Sequence, residues 1–448
     1  MPPALPTPSV RWTAHMIFRL FEPLCQRCWT FSVIILPLGN DAERIPYRYL
    51  MKLHQTLLAT LLLAPMAPLH AVEPASVQLN GQQCIRVNDR PFFPIGIYSA
   101  STADFPSLAE AGFNVVHSYG WDHKSNAEVQ VWGGQFLDAA AQHGLMALVG
   151  MNRDEVSAEK YMSSAERVRM FRDHPAVLAW HTMDEPGAGV GQEDLKELAA
   201  DAFMPGIYRV VKENDVRHPV TAVVCRLADH KRFTQSLDVH QADYYPIPPF
   251  PAQNFIGTGF AGIVLHSRQL REVGGRSKPL WFVCQSFDYA LYQKDKDVPA
   301  EWQRFPTREE LRTMSYTALA SGARGIFYWS MNELRKLVRE GQSSEDYWER
   351  LSSVSRELHN LTPVITAETP ETFFLQDNVA ALIKSDGRDL YIIVANYERK
   401  PTKTVLQVPG TGKSSAHMVF GEGMAPVIDG KLTLDLNSIE SRVYRISK

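Results

Sequence analysis

The stretch "VLAWHTMDEP", residues 177–186, is a nearly continuous apolar run that ends at two adjacent carboxylates and a proline. Its first seven residues are typical of a strand covered on both faces, as the strands of a parallel sheet are. Asp184 and Glu185 stand where this strand ends, and strand ends are where the reactive groups of parallel barrels collect. The stretch therefore predicts a buried parallel strand that delivers two acids to one edge of a sheet.

Seven further apolar runs lie between residues 93 and 330. They are "FPIGIY" (93–98), "NVVHSY" (114–119), "LMALVG" (145–150), "PVTAVV" (219–224), "VHQADYY" (239–245), "PLWFVCQ" (279–285) and "GIFYWS" (325–330). Amphipathic stretches separate the runs, and several end at a glycine suited to the left-handed end of a helix: Gly112, Gly144 and Gly322. Thr307 and Glu310 predict a capping box. Eight strand–helix units predict an α/β fold, a (β/α)8 TIM barrel over residues 93–364; the alternative, a doubly wound open sheet, lacks its glycine-rich first turn here.

Two smaller units flank the predicted barrel. Residues 72–92 predict a short N-terminal β-hairpin, with Asn80-Gly81 as its turn. After residue 365 the runs become short and partly alternating, and "DGRD", "PGTGK" and "IDGK" separate them. This pattern predicts a C-terminal antiparallel β-sandwich over residues 365–448.

The N-terminal part of the sequence resembles a targeting segment. Residues 51–71 have a short basic start at Met51-Lys52, an apolar run and a small residue at a plausible cleavage point, which is the layout of a signal peptide. We therefore expect Met51 to be the true start, residues 1–50 to be a misannotated upstream extension, and the protein to be exported to the periplasm or secreted. The alternative is a genuine extension that contains "FSVIILPL". A mature chain from about Val72 would have no contact with the membrane.

Composition narrows the class of partner. The chain is 45% hydrophobic and 21% charged, with a net charge of −3, so it has no basic surface suited to nucleic acid. The CxxC formed by Cys25 and Cys28 is a weak metal or redox signal. Cys225 and Cys284 lie in apolar runs and are expected to be small buried hydrophobic residues.

The predicted strand ends carry polar and aromatic side chains. They are Tyr98, His117, Tyr119, Asn152, Arg153, Asp184, Glu185, Arg226, Asp243, Tyr244, Tyr245, Gln285, Trp329, Asn332 and Glu333. Aromatic faces combined with planar hydrogen-bonding groups suit a sugar, which has an apolar ring face and a fringe of hydroxyls. Such a ring of residues predicts an oligo- or polysaccharide as the binding partner, with Gln285, Tyr245, Asn152, Trp329, His117 and Tyr98 as substrate-binding residues.

Four segments resemble the clan of barrel glycoside hydrolases that includes families 2, 5 and 42. They are "NDRPFFPIGIY", "HPAVLAWHTMDEP", "KPLWFVCQSF" and "ALASGARGIFYWS", within residues 88–332. The resemblance implies that Glu185, at the end of the fourth barrel strand, is the general acid/base and needs a raised pKa to hold its proton. The clan's nucleophile is a glutamate that ends the seventh strand, and Gln285 occupies that position. An amide cannot form a glycosyl ester.

Three explanations of Gln285 remain open. Another carboxylate, Asp288, Asp243 or Glu333, could be the nucleophile, or the base of an inverting enzyme. Alternatively, Asp184 and Glu185 could work together, since an adjacent Asp-Glu pair is the arrangement found in substrate-assisted hexosaminidases, where the Asp orients a 2-acetamido group. The third explanation is a carbohydrate-binding pseudoenzyme that has lost turnover.

Structural roles compete with these functional ones. Asp184 could be the N-cap of the next helix. His117 could be a core histidine, Trp329 a packing residue, and Arg153 and Arg226 ion-paired loop residues. A metal site formed by His117, His181 and Asp184 is disfavoured by spacing, and no cofactor is expected. The sequence therefore predicts an exported glycoside hydrolase that cleaves a β-glycosidic bond, with Glu185 and Asp184 as catalytic residues.

Overall fold

The structure is a computed structural model that describes residues 75–79, 84–187, 193–247, 259–275, 277–292, 299–336 and 343–447. The described residues all belong to one compact unit, Ala71–Lys448. The predicted signal peptide, the CxxC motif and the Asn80-Gly81 turn lie outside the described residues, as do parts of the long loops after the sixth and seventh barrel strands. None of the described helices is long and apolar enough to cross a membrane.

A three-stranded antiparallel sheet precedes the barrel. It consists of β1 (Val77–Leu79), β2 (Ile85–Val87) and β3 (Arg90–Phe92). The register Val77↔Val87 and Leu79↔Ile85 confirms the predicted hairpin. A second turn, at Asn88 and Asp89, adds the third strand; both residues have positive φ, which asparagine and aspartate tolerate better than most side chains.

Eight parallel strands then close into a barrel, as predicted. They are β4 (Ile95–Ile97), β5 (Val115–Val116), β6 (Met146–Gly150), β7 (Val177–Asp184), β8 (Val220–Val224), β9 (Val239–Asp243), β10 (Leu280–Gln285) and β11 (Gly325–Trp329). The order β4 to β11 runs around the barrel and closes where β11 pairs with β4, at Phe327↔Gly96. Buried side chains from around the whole barrel, including Leu148, Val223 and Trp281, form one interior cluster.

Helices surround the strands. The described helices are Phe105–Glu110, Asn126–Gln142, Arg153–Ser157, Tyr161–Phe171, Glu193–Asn214, Leu227–Phe233, Ala261–Gly274, Arg308–Ala320, Met331–Lys336 and Ser344–Thr366. The predicted capping box is present: Thr307 N donates to Glu310 Oε2 (2.8 Å) and Glu310 N donates to Thr307 Oγ1 (3.2 Å). The glycines predicted at helix ends have φ of +84° (Gly112), +68° (Gly144) and +105° (Gly322), which confirms their left-handed role.

The C-terminal strands form one antiparallel sheet of eight. They are β12 (Glu371–Gln376), β13 (Val379–Ser385), β14 (Leu390–Asn396), β15 (Thr402–Gln407), β16 (Ser414–Met418), β17 (Met424–Ile428), β18 (Lys431–Leu436) and β19 (Glu440–Ile446), in the order β12-β13-β14-β19-β16-β17-β18-β15. Ala381 of β13 and Leu434 of β18 lie far apart in this order but share one buried cluster. The sheet therefore folds over itself, which gives the predicted sandwich-like domain.

The second face of this sheet packs on the barrel helix Arg308–Ala320. Arg312 Nη1 donates to Ser441 O (2.9 Å), and Thr313 Oγ1 contacts Ser441 Oγ (3.0 Å). Behind this contact the buried carboxylate of Glu357 accepts from Arg312 Nε (2.8 Å), Tyr316 Oη (2.5 Å) and an Arg308 guanidinium nitrogen. Glu357 therefore organises the helix face that carries the sandwich.

We expect Glu357→Ala to lower the free energy of unfolding by about 3 kcal/mol, because it leaves a buried arginine without its counter-charge. Denaturant unfolding of the purified protein measures the change. The control is Glu349→Ala, which removes an exposed partner of Arg356 and should cost about 0.5 kcal/mol or less. Equal losses in the two variants would contradict the role of Glu357.

A buried polar cluster stabilises the N-terminal side of β8. Asp215 Oδ2 accepts from Trp180 Nε1 (2.9 Å) and lies 2.6 Å from His218 Nδ1. Burial alone would raise the pKa of Asp215, but the hydrogen bond and charge of His218, together with the Trp180 bond, outweigh it and lower this pKa to about 2. The ionised carboxylate is thus favoured in the folded protein.

Asp215 should therefore make the free energy of unfolding depend on pH in the acidic range. Its stabilising contribution of about 2 kcal/mol is fully present above the unfolded pKa near 4 and is lost as pH falls towards 2. Asp215→Asn should remove this part of the pH dependence, as measured by denaturant unfolding at several pH values between about 2 and 7. The control variant Asp435→Asn, in an exposed pair with Lys403, should leave the profile unchanged. The wild-type profile would persist in Asp215→Asn if another group caused it.

Candidate active site

Closure of the barrel brings carboxyl groups from three separate strands to one rim. Asp184 is the last residue of β7, Glu185 follows it, and Asp243 is the last residue of β9. Asp122 follows β5 through a short 3-10 turn, Tyr119–Trp121. Charges on these groups act on one another, since Asp184 raises the pKa of Asp122 and of Asp243. The rim is therefore an acidic, largely buried site.

Glu185 has an unusual backbone conformation for a glutamate. Its φ is +48°, and its N–H donates to Val223 O on β8 (3.0 Å). Arg226 holds the same turn by donating from Nη2 to Gly187 O (2.6 Å) and from Nε to Asp229 Oδ2 (2.7 Å). This pairing agrees with the structural role considered for Arg226. Non-glycine residues whose backbone is held at positive φ by such contacts are common in functional sites.

Asp184 is not a helix N-cap. It belongs to β7, residues 185–187 form a turn, and the next helix is described from Glu193 onward. The capping role considered for this residue is therefore wrong. As the last residue of β7, Asp184 contacts other residues of the rim, among them Tyr119.

Glu185 and Asp243 form a hydrogen-bonded pair. Burial raises the pKa of Glu185 well above its usual range, and the charge of Asp243 and the bond to it raise this pKa further. Burial also raises the pKa of Asp243, to about 6, although the bonds from Glu185 and Tyr245 oppose that rise. The hydrogen bond between the two carboxyl groups therefore favours the protonated form of Glu185 and the ionised form of Asp243.

A directed chain of hydrogen bonds ends on Asp184. Trp329 Nε1 donates to Tyr119 Oη (2.9 Å), and Tyr119 Oη lies 2.9 Å from Asp184 Oδ2. Because an indole N–H is only a donor, the tyrosine hydroxyl accepts from it and donates to the carboxylate. Burial and the charge of Glu185 raise the pKa of Asp184 to about 7, while Tyr119 and Arg153 limit the rise.

Asp122 is a site residue that the sequence reading missed. It is 6% exposed, and burial followed by the charge of Asp184 raises its pKa well above the usual range, against the effect of Arg153. Its backbone oxygen accepts from Arg153 N (2.9 Å), so the two loops are joined. The available signal was an acid just after the β5 run, but it lies beyond the strand end and returns to the rim only through the 3-10 turn.

An aromatic wall lies beside the carboxylates. The Trp329 ring packs edge-on against Phe287 (4.7 Å between centroids) and lies 6.3 Å from Tyr245 and 5.9 Å from Tyr292. Trp329 and Tyr245 are only partly buried, so each keeps accessible surface. The structure thus brings these two predicted residues together next to Asp184 and Asp243. Such a wall can cover the apolar face of a sugar ring.

Gln285 and Asn152 have structural hydrogen bonds. Gln285 is fully buried; its Oε1 accepts from Ile247 N (2.9 Å), and its Nε2 donates to Ile247 O (2.6 Å) and Phe287 O (3.0 Å). Asn152 is the N-cap of Arg153–Ser157 and donates to Lys124 O (3.2 Å). Sugar contact by these residues stays a prediction. Their amides already fix the loops of the rim.

Tyr98, His117 and His181 lie in the barrel interior. Each is at most 1% exposed, and the His117 ring lies 4.9 Å from Tyr98 and 4.8 Å from His181. Burial lowers the pKa of both histidines, which favours their neutral forms. This environment favours the core role considered for His117 over direct contact with a sugar.

The other two carboxylates considered as nucleophiles have different surroundings. Asp288 is fully buried, and its Oδ1 accepts from Ala290 N (3.0 Å). Glu333 is 7% exposed and hydrogen-bonds to Tyr292 at the aromatic wall. Of the three carboxylates proposed from the sequence, Asp243 is the one hydrogen-bonded to Glu185.

Comparison with known proteins gives the fold. No protein-family model and no curated protein matches the chain. Among solved structures, it is similar to a family 5 glycoside hydrolase from Bacteroides vulgatus, at a TM-score of 0.59 and 13% identity over 85% of this chain and 94% of that one. It is also similar to a protein described as a glycoside hydrolase (TM-score 0.58, 13% identity, 84% and 97% covered) and to a family 27 β-L-arabinopyranosidase from Geobacillus stearothermophilus (0.51, 9%, 79% and 97%). The chain has the barrel fold of these proteins.

Gln285→Glu should destabilise the protein by about 2 kcal/mol, because a carboxylate would face the carbonyl oxygens of Ile247 and Phe287 without a donor. Thermal and denaturant unfolding measure this loss. The control is Gln130→Glu on the exposed face of helix Asn126–Gln142, which should be nearly neutral. Unchanged stability of Gln285→Glu would show that these backbone contacts contribute little.

Proposed function

We propose that the protein is a glycoside hydrolase that cleaves a β-glycosidic bond in an oligo- or polysaccharide, with Glu185 as general acid. The observation that carries this proposal is the Glu185–Asp243 pair at the carboxyl end of a parallel barrel. Glu185 keeps its proton because of burial and the adjacent charge, and a general acid needs such a proton near neutral pH. The glycoside hydrolase folds of the similar structures agree with this choice.

Asp243 is the proposed partner of Glu185 in the reaction. The two carboxyl groups share a hydrogen bond, so they lie closer together than the roughly 6.5–9.5 Å that separates the acids of inverting enzymes. Asp243 would attack the anomeric carbon while Glu185 protonates the leaving oxygen. Water would then hydrolyse the glycosyl ester, with Glu185 accepting its proton.

A substrate-assisted reaction is the second candidate. Tyr119 donates to Asp184, and Asp184 immediately precedes the proposed acid. An ionised Asp184 held in this direction could orient a 2-acetamido group so that its oxygen attacks the anomeric carbon. Asp243 would then serve only to keep the proton on Glu185.

Export of the enzyme is part of the proposal. The basic start at Met51-Lys52 and the apolar run after it support cleavage near Val72. An extracellular or periplasmic polysaccharide would then be the accessible substrate.

The first test is a hydrolysis screen of the full chain with aryl β-glycosides, with and without a 2-acetamido group, and with common polysaccharides. We expect cleavage, and we expect Glu185→Gln to lower kcat/KM by about 100-fold or more, since general acid catalysis contributes that much. Glu213→Gln, on an exposed helix face, is the matched control and should retain full activity.

Two further variants separate the reaction schemes. Asp243→Asn should abolish turnover of every substrate if Asp243 is the nucleophile, whereas activity confined to 2-acetamido sugars and sensitive to Asp184→Asn would favour substrate assistance. Glycan binding without cleavage of any substrate would reject the hydrolase and identify a carbohydrate-binding pseudoenzyme.

A further inference from the structure

Cys225 adds a third potential metal ligand to the carboxylate pair. It directly follows β8, the strand that lies between β7 and β9. One ligand atom from each of Glu185, Cys225 and Asp243 lies within 4.8 Å of the other two. Cys225 is 6% exposed and forms no disulfide. Three consecutive strand ends therefore direct one thiol and two carboxyl groups to a common point.

The surroundings of this point favour a cation. Asp243 is 2% exposed, and its Oδ1 receives no hydrogen bond from an N–H or hydroxyl group of the described residues. Asp184 and Asp122 bring further carboxyl groups close to the pair. The positive charges that act on these groups are fewer than the carboxyl groups: Arg153, which is partly exposed, acts on Glu185, Asp184 and Asp122, Arg226 acts on Cys225, and Arg167 acts on Asp122. Buried carboxyl groups in excess of positive charge gain when a divalent ion is bound between them.

We propose that Glu185, Cys225 and Asp243 form an inhibitory site for a thiophilic divalent cation, for which Zn²⁺ is the model ion. Zinc binds thiolate sulfur at about 2.3 Å and carboxylate oxygen at about 2.0–2.2 Å, usually with four ligands, so water would complete the site. Tetrahedral ligands lie roughly 3.5 Å apart, so the side chains must move together by about 1 Å. Glu185 is long and partly exposed, which allows this movement.

Binding balances as an exchange of protons for metal. The Cys225 Sγ–H bond breaks and the Sγ–Zn bond forms, while the carboxyl proton shared by Glu185 and Asp243 is replaced by the ion; both protons pass to solvent. The soft thiolate selects zinc-like ions over Mg²⁺ or Ca²⁺, which prefer all-oxygen sites. Inhibition rests on the proposed function, because a metal-bound Glu185 has no proton to donate to the leaving oxygen.

The test uses Co²⁺ as a spectroscopic substitute for zinc. The full chain carries Cys25→Ser and Cys28→Ser so that the CxxC motif contributes no thiols. We expect one equivalent of Co²⁺ to produce a thiolate-to-cobalt charge-transfer band in the near ultraviolet, and Zn²⁺ to displace it. Cys225→Ser should abolish the band, whereas the control Cys284→Ser, which alters a buried thiol in β10, should retain it. Circular dichroism confirms that both variants are folded, and Cys225→Ala replaces Cys225→Ser if the latter is not.

A second measurement addresses inhibition. In the hydrolysis assay, Cys225→Ser should raise the zinc concentration for half-inhibition at least tenfold, while Cys284→Ser should not change it. Absence of the cobalt band, or its persistence in Cys225→Ser, would overturn the proposed site. A Cys225-dependent band in a protein that cleaves no glycoside would instead refute the proposed function and leave the metal site standing.

Discussion

The barrel closes because Gly96 allows β4 to approach β11. A Cβ atom on Gly96 would lie 2.2 Å from the ring of Phe327, its register partner, so a larger side chain would displace that ring. Phe327 fills the barrel interior beside Trp281, and Gly325 in turn allows the close approach of Trp281. On this side of the barrel, large rings therefore pack against glycines of the neighbouring strands. Every strand end at the rim takes its position from this closure.

Closure also explains how several carboxyl groups remain buried together. Their raised pKa values show that the rim disfavours charge, so the site costs folding stability near neutral pH. Contacts to the backbone hold it in place: Glu185 N donates to Val223 O, and the Arg226 side chain donates to Gly187 O. The β7–β8 register is irregular between His181 and Asp184, next to these contacts. A stable barrel supports a site that is unfavourable by itself.

The sequence predicts the barrel fold better than the arrangement of the side chains at its rim. Strands buried on both faces leave apolar runs, and capping residues mark helix ends, so local patterns suffice for the barrel and for the position of Glu185. The partner of Glu185 depends on which strand ends converge, and no local pattern contains that distance. Asp243 therefore stayed one of three alternatives, and Asp122 was missed because its turn carries it back to the rim. Gln285 has a side chain that could hydrogen-bond to a sugar, and only the structure shows that its amide is bonded to the backbone instead.

Gln285 is linked to Asp243 through the segment that follows β9, and this link explains why an amide occupies the end of β10. The segment after β9 runs from Asp243 through Tyr245 to Ile247, and Gln285 binds both the N–H and the C=O of Ile247. An amide has both a donor and an acceptor for this pairing, whereas a carboxylate has only acceptors. Tyr245, between the two anchored ends, hydrogen-bonds to Asp243 and faces Trp329 across the aromatic wall. A side chain at the end of the seventh strand thus stabilises the segment that follows the carboxylate at the end of the sixth.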